Sequence, residues 1–240
     1  MEVTSEGVAV LTYDLPGERV NTLRADFMDA FSRIVEEVEQ NPDIRGAVLR
    51  SGKRQSFIVG ADIEMLSAIH SADDAVAMIQ RGHQAIDRLA KSAKPFVAAV
   101  HGDALGGGFE VALACTARVL SHSRKTALGF PEVRLGLLPG LSGLQRLAAI
   151  AGLQVALDYG LTGKSMRPDQ ARKLGVADDV VPRSILDQVA IDLALELSRS
   201  TRRDRKSRFD MTRLALEKNP LGRSLLFRKA REQVRKTTGG

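Results

Sequence analysis

Two carboxylates and a run of glycines stand out as residues able to do chemistry together. Glu110 lies in HGDALGGGFEVALAC, directly after Gly106, Gly107 and Gly108, and Glu132 lies in GFPEVRLGLLPG, 22 residues further on. Consecutive glycines let the backbone approach a ligand closely and turn its N–H groups toward it, and a helix start adds partial positive charge at the same place. Such a loop suits a developing anion. Read alone, the glycines fit equally well a tight turn packed against a neighbour, with Glu110 capping a helix or paired to an arginine. The second carboxylate favours a site: two close, buried carboxyls split in pKa, one staying ionised while the other keeps its proton, an arrangement suited to acid and base work.

These residues need elements to position them. Phe96–Val100 is a short β-branched apolar run of strand length that empties into the glycine loop. Residues 109–115 are apolar nearly all round, as in a buried helix, so the lone charge of Glu110 sits on its first turn with little water nearby. A strand over Arg118–His122 then returns the chain toward Glu132. Upstream, Val8–Asp14 and Ala47–Arg50 read as strands, with Phe57–Val59 leading into the loop at Gly60. Arg24–Gln40 and Asp74–Lys91 have helical spacing, and helices are expected over Leu144–Leu161 and Pro168–Leu174. The alternation implies an α/β fold with strands stacked under helices. Periodicity alone leaves a doubly wound sheet open.

HGDALGGGFEVALAC followed by GFPEVRLGLLPG resembles the signature of the enoyl-CoA hydratase, or crotonase, superfamily, and FIVGADIEML (Phe57–Leu66) looks like its other marker; the resemblance runs from about Val8 to about Pro182. NTL at Asn21–Leu23, TGKSMRPDQARKLGVADDVVP and NPLGRSLLFRKAREQVRKTTGG are similar to the amino-terminal part of multifunctional fatty-acid oxidation α-subunits. The resemblance implies a crotonase-like ββα spiral with a helical carboxy-terminal region. It implies a crotonase-like domain over residues 1–198 and a basic helical segment over 199–240 that leads to a dehydrogenase portion lying beyond this sequence.

The same resemblance assigns roles. Hydrating a 2-enoyl thioester puts water on Cβ and a proton on Cα while charge builds on the thioester oxygen. The family pattern makes the N–H groups of Ala61 and Gly107 the donors to that oxygen, where losing one donor typically costs about 10²- to 10³-fold in rate. For Gly107 the helix start gives independent support. Glu110 would activate the water, Glu132 would exchange the proton at Cα, and the Gly140 N–H would help hold the water. Asp62 and Ile63 border the first marker; Asp62 reads more readily as a helix cap than as a ligand contact. One departure concerns PGLSGLQRL, where the family shows small residues: Leu141, Ser142 and Leu144 are bulkier and either narrow the acyl channel or repack a wall.

Composition excludes other chemistries. One cysteine, Cys115, cannot form an internal disulfide, which points to a reducing, cytoplasmic setting and away from a thiol nucleophile. No apolar run is long enough to span a membrane. GKS at Gly163–Ser165 lacks the first glycine of a phosphate loop, no G-x-G-x-x-G appears, and His70, His83, His101 and His122 have no metal-site spacing. His101 reads as a packing or hydrogen-bonding residue. Residues 199–240 carry 14 Lys and Arg against 4 Asp and Glu, leaving 21 against 25 in residues 1–198. That basic tail fits a solvated helical face or a seat for a partner, with no nucleic-acid motif beside it. Asn219 and Pro220 divide it into two helices. The family resemblance implies an acyl-CoA enzyme whose coenzyme A thioester is substrate rather than cofactor, with NAD confined to the absent portion. A Δ3-Δ2 enoyl-CoA isomerase at the same site and a docking module for a thiolase β-subunit remain alternatives, and a homo-oligomer or a domain of a larger chain is expected.

Overall fold

The computed structural model describes residues 1–62, 70–200 and 219–238. The described residues form two sheets. β1 (Glu2–Val3), β2 (Val8–Tyr13), β3 (Gly46–Ser51), β5 (Phe96–Val100), β7 (Ala117–Ser121) and β10 (Asp179–Val181) make one sheet in that spatial order; β4 (Ser56–Val59), β6 (Asp103–Leu105), β8 (Ala127–Gly129) and β9 (Ser165–Met166) make the other. β3–β4, β5–β6 and β7–β8 are successive pairs, each giving its first strand to the larger sheet and its second to the smaller. A helix or 3-10 turn follows each pair: α2 (Ala72–Lys91), α3 (Gly107–Ala114) and a 3-10 turn over Pro131–Leu135. This repetition is the ββα spiral. Pairing within both sheets is parallel except at β1 and β9, with Ala47 opposite Phe96 and Val59 opposite Leu105.

Side chains alternate across a strand, so a strand buried on both faces must be apolar at every position. The larger sheet follows this rule. Ala9, Leu11, Ala47, Leu49, Phe96 and Ala98 face the main core with α1 (Ala25–Gln40), α2 and α3, whereas Val8, Val48, Val97, Ala99 and Val119 face Leu186, Ala190 and Ala194 of α7 (Leu186–Arg199). The unbroken run FVAAV in β5 is the sequence mark of that double burial.

The expected strands and the first two helices lie where the sequence places them, within a residue or two. The stretch Leu144–Leu161 is two helices, α4 (Gly143–Ala151) and α5 (Leu153–Thr162), because Gly152 takes φ 101° between them. α6 (Pro168–Lys173) starts at a proline, whose missing N–H costs nothing in a first turn. In the basic tail, α8 (Pro220–Thr238) begins at the expected break and packs on α5, with Leu226 buried. Ile63 and the first half of the tail lie outside the described residues. Among the described residues, no helix is long and apolar enough to cross a membrane.

Candidate active site

The site lies where β4 and β6 end side by side. β6 leads into Gly106, whose φ of 54° and ψ of −130° are open to glycine and which donates its N–H to Gly129 O at 2.9 Å. A Cβ on Gly106 would sit 2.7 Å from Glu132 Oε1 and 3.4 Å from Gly60 Cα, so the missing side chain brings the Gly60 turn and the Glu132 carboxylate together over the start of α3. Gly108 is needed for packing: an added Cβ would lie 2.0 Å from Ile58 O, so α3 rests directly on the β4 backbone.

On the other flank, buried Asn21 fixes the NTL segment. Its Nδ2 donates to Tyr13 O at 2.8 Å and to Ser51 Oγ at 2.9 Å, and its Oδ1 accepts from Leu15 N at 3.0 Å. Leu23 then bridges Ala61 in parallel fashion, with Leu23 N donating to Gly60 O and Asp62 N to Leu23 O. The N–H groups of Ala61 and Gly107 are left without a backbone partner among the described residues. Asp62 accepts from Thr22 Oγ1 at 3.1 Å, a contact that ties the NTL segment to the loop.

Glu110 is 1% exposed. Its Oε1 accepts the N–H of Leu141 and the N–H of Gly143, each at 2.7 Å. Burial pushes its carboxyl up, while the N–H groups of Gly143 and Leu141, the Arg146 guanidinium and the N–H of Gly140 pull it down. Glu132 follows Pro131, the first residue of the 3-10 turn, and its Oε2 is buried with no hydrogen-bond partner among the described residues. Burial first, with the Glu110 charge behind it, raises its carboxyl to about 7, against the pull of its own N–H. Of the two, Glu132 holds its proton the more firmly: among the described residues its Oε2 has no donor like those that reach Glu110. The pair is thus unlike, one carboxyl furnished with N–H donors and the other raised by burial to about 7.

The three bulky residues of PGLSGLQRL have separate fates. Leu141 packs toward the site, its Cδ2 2.5 Å and Cδ1 3.8 Å from where a Cβ on Gly82 and on Gly107 would lie. Leu144 points away, against Gly160 of α5. Ser142 takes φ 65° and places its Oγ 3.2 Å from His83 Nδ1.

Sequence reasoning missed Arg118. Its guanidinium is wholly buried beneath α3, where it donates to the carbonyls of Ala112 and Cys115 at 2.9 Å and of Val176 at 2.6 Å, beside Asp178. It thereby satisfies carbonyls that the C-terminus of the site helix leaves unpaired. Burial pushes the Cys115 thiol up to about 12, which makes it an unreactive packing group. His101 bridges Ser121 Oγ and Arg54 O, a structural tie.

A ββα spiral with Glu110 on the helix after β6 and Glu132 on the 3-10 turn after the neighbouring parallel strand β8 has the form of a crotonase-type protein. A profile of the enoyl-CoA hydratase/isomerase family matches residues 3–227, and the chain belongs to that family. It is 49% identical over 235 residues to the fatty acid oxidation complex subunit alpha of Shewanella putrefaciens, covering 98% of this chain and 33% of the relative. The chain thus spans about a third of the length of the curated relatives it matches. An enoyl-CoA hydratase structure from Geobacillus kaustophilus superposes with a TM-score of 0.76 at 26% identity, covering 96% of this chain and 84% of the other. One from Bacillus anthracis gives 0.77 at 23% identity, covering 97% and 89%, a likeness of fold.

Proposed function

We propose that this domain is a 2-enoyl-CoA hydratase of fatty-acid β-oxidation, converting a trans-2-enoyl thioester to the 3-hydroxyacyl thioester. The observation that carries this reading is the unlike pair, Glu110 cradled by N–H groups and Glu132 raised by burial to about 7, together with the N–H groups of Ala61 and Gly107, which have no backbone partner among the described residues. In the reaction, Glu110 accepts a proton from water as its oxygen bonds to Cβ. Glu132 delivers its proton to Cα, and the charge that builds on the thioester oxygen is met by the N–H groups of Ala61 and Gly107. A proton passing from Glu110 to Glu132 resets the pair. Loss of enoyl-thioester absorbance across several acyl lengths tests the assignment, and a folded protein that leaves every chain length unhydrated would refute it.

Δ3-Δ2 isomerisation at the same site is favoured by one observation. The Oε2 of Glu132, without a hydrogen-bond partner among the described residues, is a single acid–base group able to move a proton between two carbons without activated water. Glu110→Gln is then expected to retain isomerisation that Glu132→Gln loses. We further place the domain in the cytoplasm, within a longer chain that carries the NAD-dependent step and assembles with a thiolase-type subunit. The relatives' name, a subunit of a fatty acid oxidation complex, and their roughly threefold greater length support the longer chain and the assembly.

A further inference from the structure

Leu141 and Gly143 aim their N–H groups at one oxygen because the residue between them has left-handed backbone angles, φ 65° and ψ 24°. That residue is Ser142, the one non-glycine with positive φ among the described residues. Successive residues of opposite hand turn their N–H groups inward and make a concave anion cradle. Serine is strained in this conformation, so its surroundings must hold it there.

The holding contacts come from α2. His83 Nδ1 lies 3.2 Å from Ser142 Oγ. Beside it, Gly82 admits Leu141, since a Cβ there would come within 2.5 Å of Leu141 Cδ2. One turn further on, Asp87 Oδ1 accepts from Arg146 Nη2 at 2.7 Å, while Arg146 Nη1 donates to Leu141 O at 2.5 Å. The Leu141 peptide is therefore gripped at its N–H by Glu110, at its side chain by Gly82 and at its carbonyl by the Arg146–Asp87 pair.

We propose that His83, Asp87 and Arg146 are positioning residues through which α2 braces the Leu141–Gly143 cradle and so fixes the orientation of Glu110. The inference rests on the part given above to Glu110 in hydration. Among the described residues, the charged and titratable groups around the cradle and its brace are Glu132 on the 3-10 turn, Arg146 on α4, and His83, Asp87 and Lys91 on α2, with Lys91 Nζ 3.6 Å from Asp87 Oδ2.

The test uses His83→Ala, His83→Asn and Asp87→Asn in the whole domain. Each is read by melting temperature, by kcat and KM for trans-2-enoyl-CoA, and by the titration of the Glu110 carboxyl in 13C NMR, assigned by its loss in Glu110→Gln. His83→Ala and Asp87→Asn are expected to lower kcat about 10- to 100-fold with little change in KM, and to move the Glu110 midpoint to higher pH because fewer donors reach the carboxylate. His83→Asn, whose amide nitrogen can stand in for Nδ1, is expected to restore both. Wild-type kcat with an unmoved Glu110 midpoint in His83→Ala and Asp87→Asn would overturn the proposal, and so would losses in kcat that merely track melting temperature and are not rescued by His83→Asn. If His83→Ala does not fold, Asp87→Asn and His83→Asn decide. A wild-type protein without hydratase activity would refute the proposed function instead, and the Glu110 midpoint would still judge the brace.

Discussion

Replacing Glu132 with glutamine removes an acid that titrates near neutrality, and the change should be visible in stability before any substrate is added. Burial, helped by the Glu110 charge, lifts this carboxyl from its ordinary 4.5 to about 7. The unfolded chain therefore releases the proton near 4.5 and the folded chain near 7. Between those values the folded state holds more protons, so stability falls as pH rises: the contribution of the neutral form is complete below about pH 4.5 and is lost as pH passes 7. For a fully buried group a rise of this size corresponds to about 3 kcal/mol. Glu132 is partly open to solvent, whose screening reduces the expectation to about 1–2 kcal/mol. Glutamine does not ionise, so the stability of Glu132→Gln relative to wild type should rise by that amount between about pH 4.5 and about pH 8. Urea unfolding at several pH values measures it, with contributions common to both proteins cancelling in the difference. The same ionisation should appear in wild-type kcat/KM for hydration as a fall above about pH 7, because the proton for Cα is then gone. Stability curves that stay parallel from acid to base would show that Glu132 ionises as an ordinary surface carboxylate, and the reasoning would fail.

Further outcomes follow from the same contacts. Glu110→Gln and Glu132→Gln should each lower hydratase turnover by several orders of magnitude while a 3-hydroxyacyl-CoA product still binds, as measured by steady-state kinetics and product inhibition. Leu141→Ala opens space between Gly82 and Gly107 and should raise kcat/KM for longer or branched acyl chains relative to short ones, at a cost of about 2–5 kcal/mol in stability; an unchanged chain-length profile would remove Leu141 from the acyl wall. Arg118→Met strips hydrogen bonds from several buried carbonyls and leaves Asp178 without its guanidinium, so unfolding experiments should find a loss of about 3–5 kcal/mol.

The pattern of the chain foretells the parts that depend on local composition. FVAAV reads as a doubly buried strand because both of its faces are covered, and the glycine run followed by Glu110 reads as a ligand-facing helix start because each property belongs to neighbouring residues. Contacts between distant segments leave no such trace. Nothing in GLSGLQRL announces that the N–H groups of Leu141 and Gly143 converge on a carboxylate 31 and 33 residues earlier. Ser142 gives a weak hint, a small polar residue at a backbone position that glycine would fill without strain. Arg118 gives none: an arginine between strand residues looks like a solvent-facing charge until Val176 and Asp178 are brought to it. The break at Gly152 was hidden for another reason, since a glycine inside a helical pattern is often tolerated and its φ of 101° emerges only with the packing of α4 on α5.

Arg118 also sets an order of events for a chain leaving the ribosome. Helix α3, which carries Glu110, is complete in sequence at Ala114, yet the guanidinium beneath it finds Val176 and Asp178 only after about 60 further residues have emerged, and β10 pairs with β7 just beyond them. Until then, carbonyls at the end of α3 and a cation share an interior with no anion beside it, a combination that disfavours early closure. Maturation of the site is thus coupled to arrival of the carboxy-terminal third. Pulse-labelled hydrogen exchange during refolding should find the amides of α3 gaining protection together with those of β10, and α3 protected well before β10 would uncouple them.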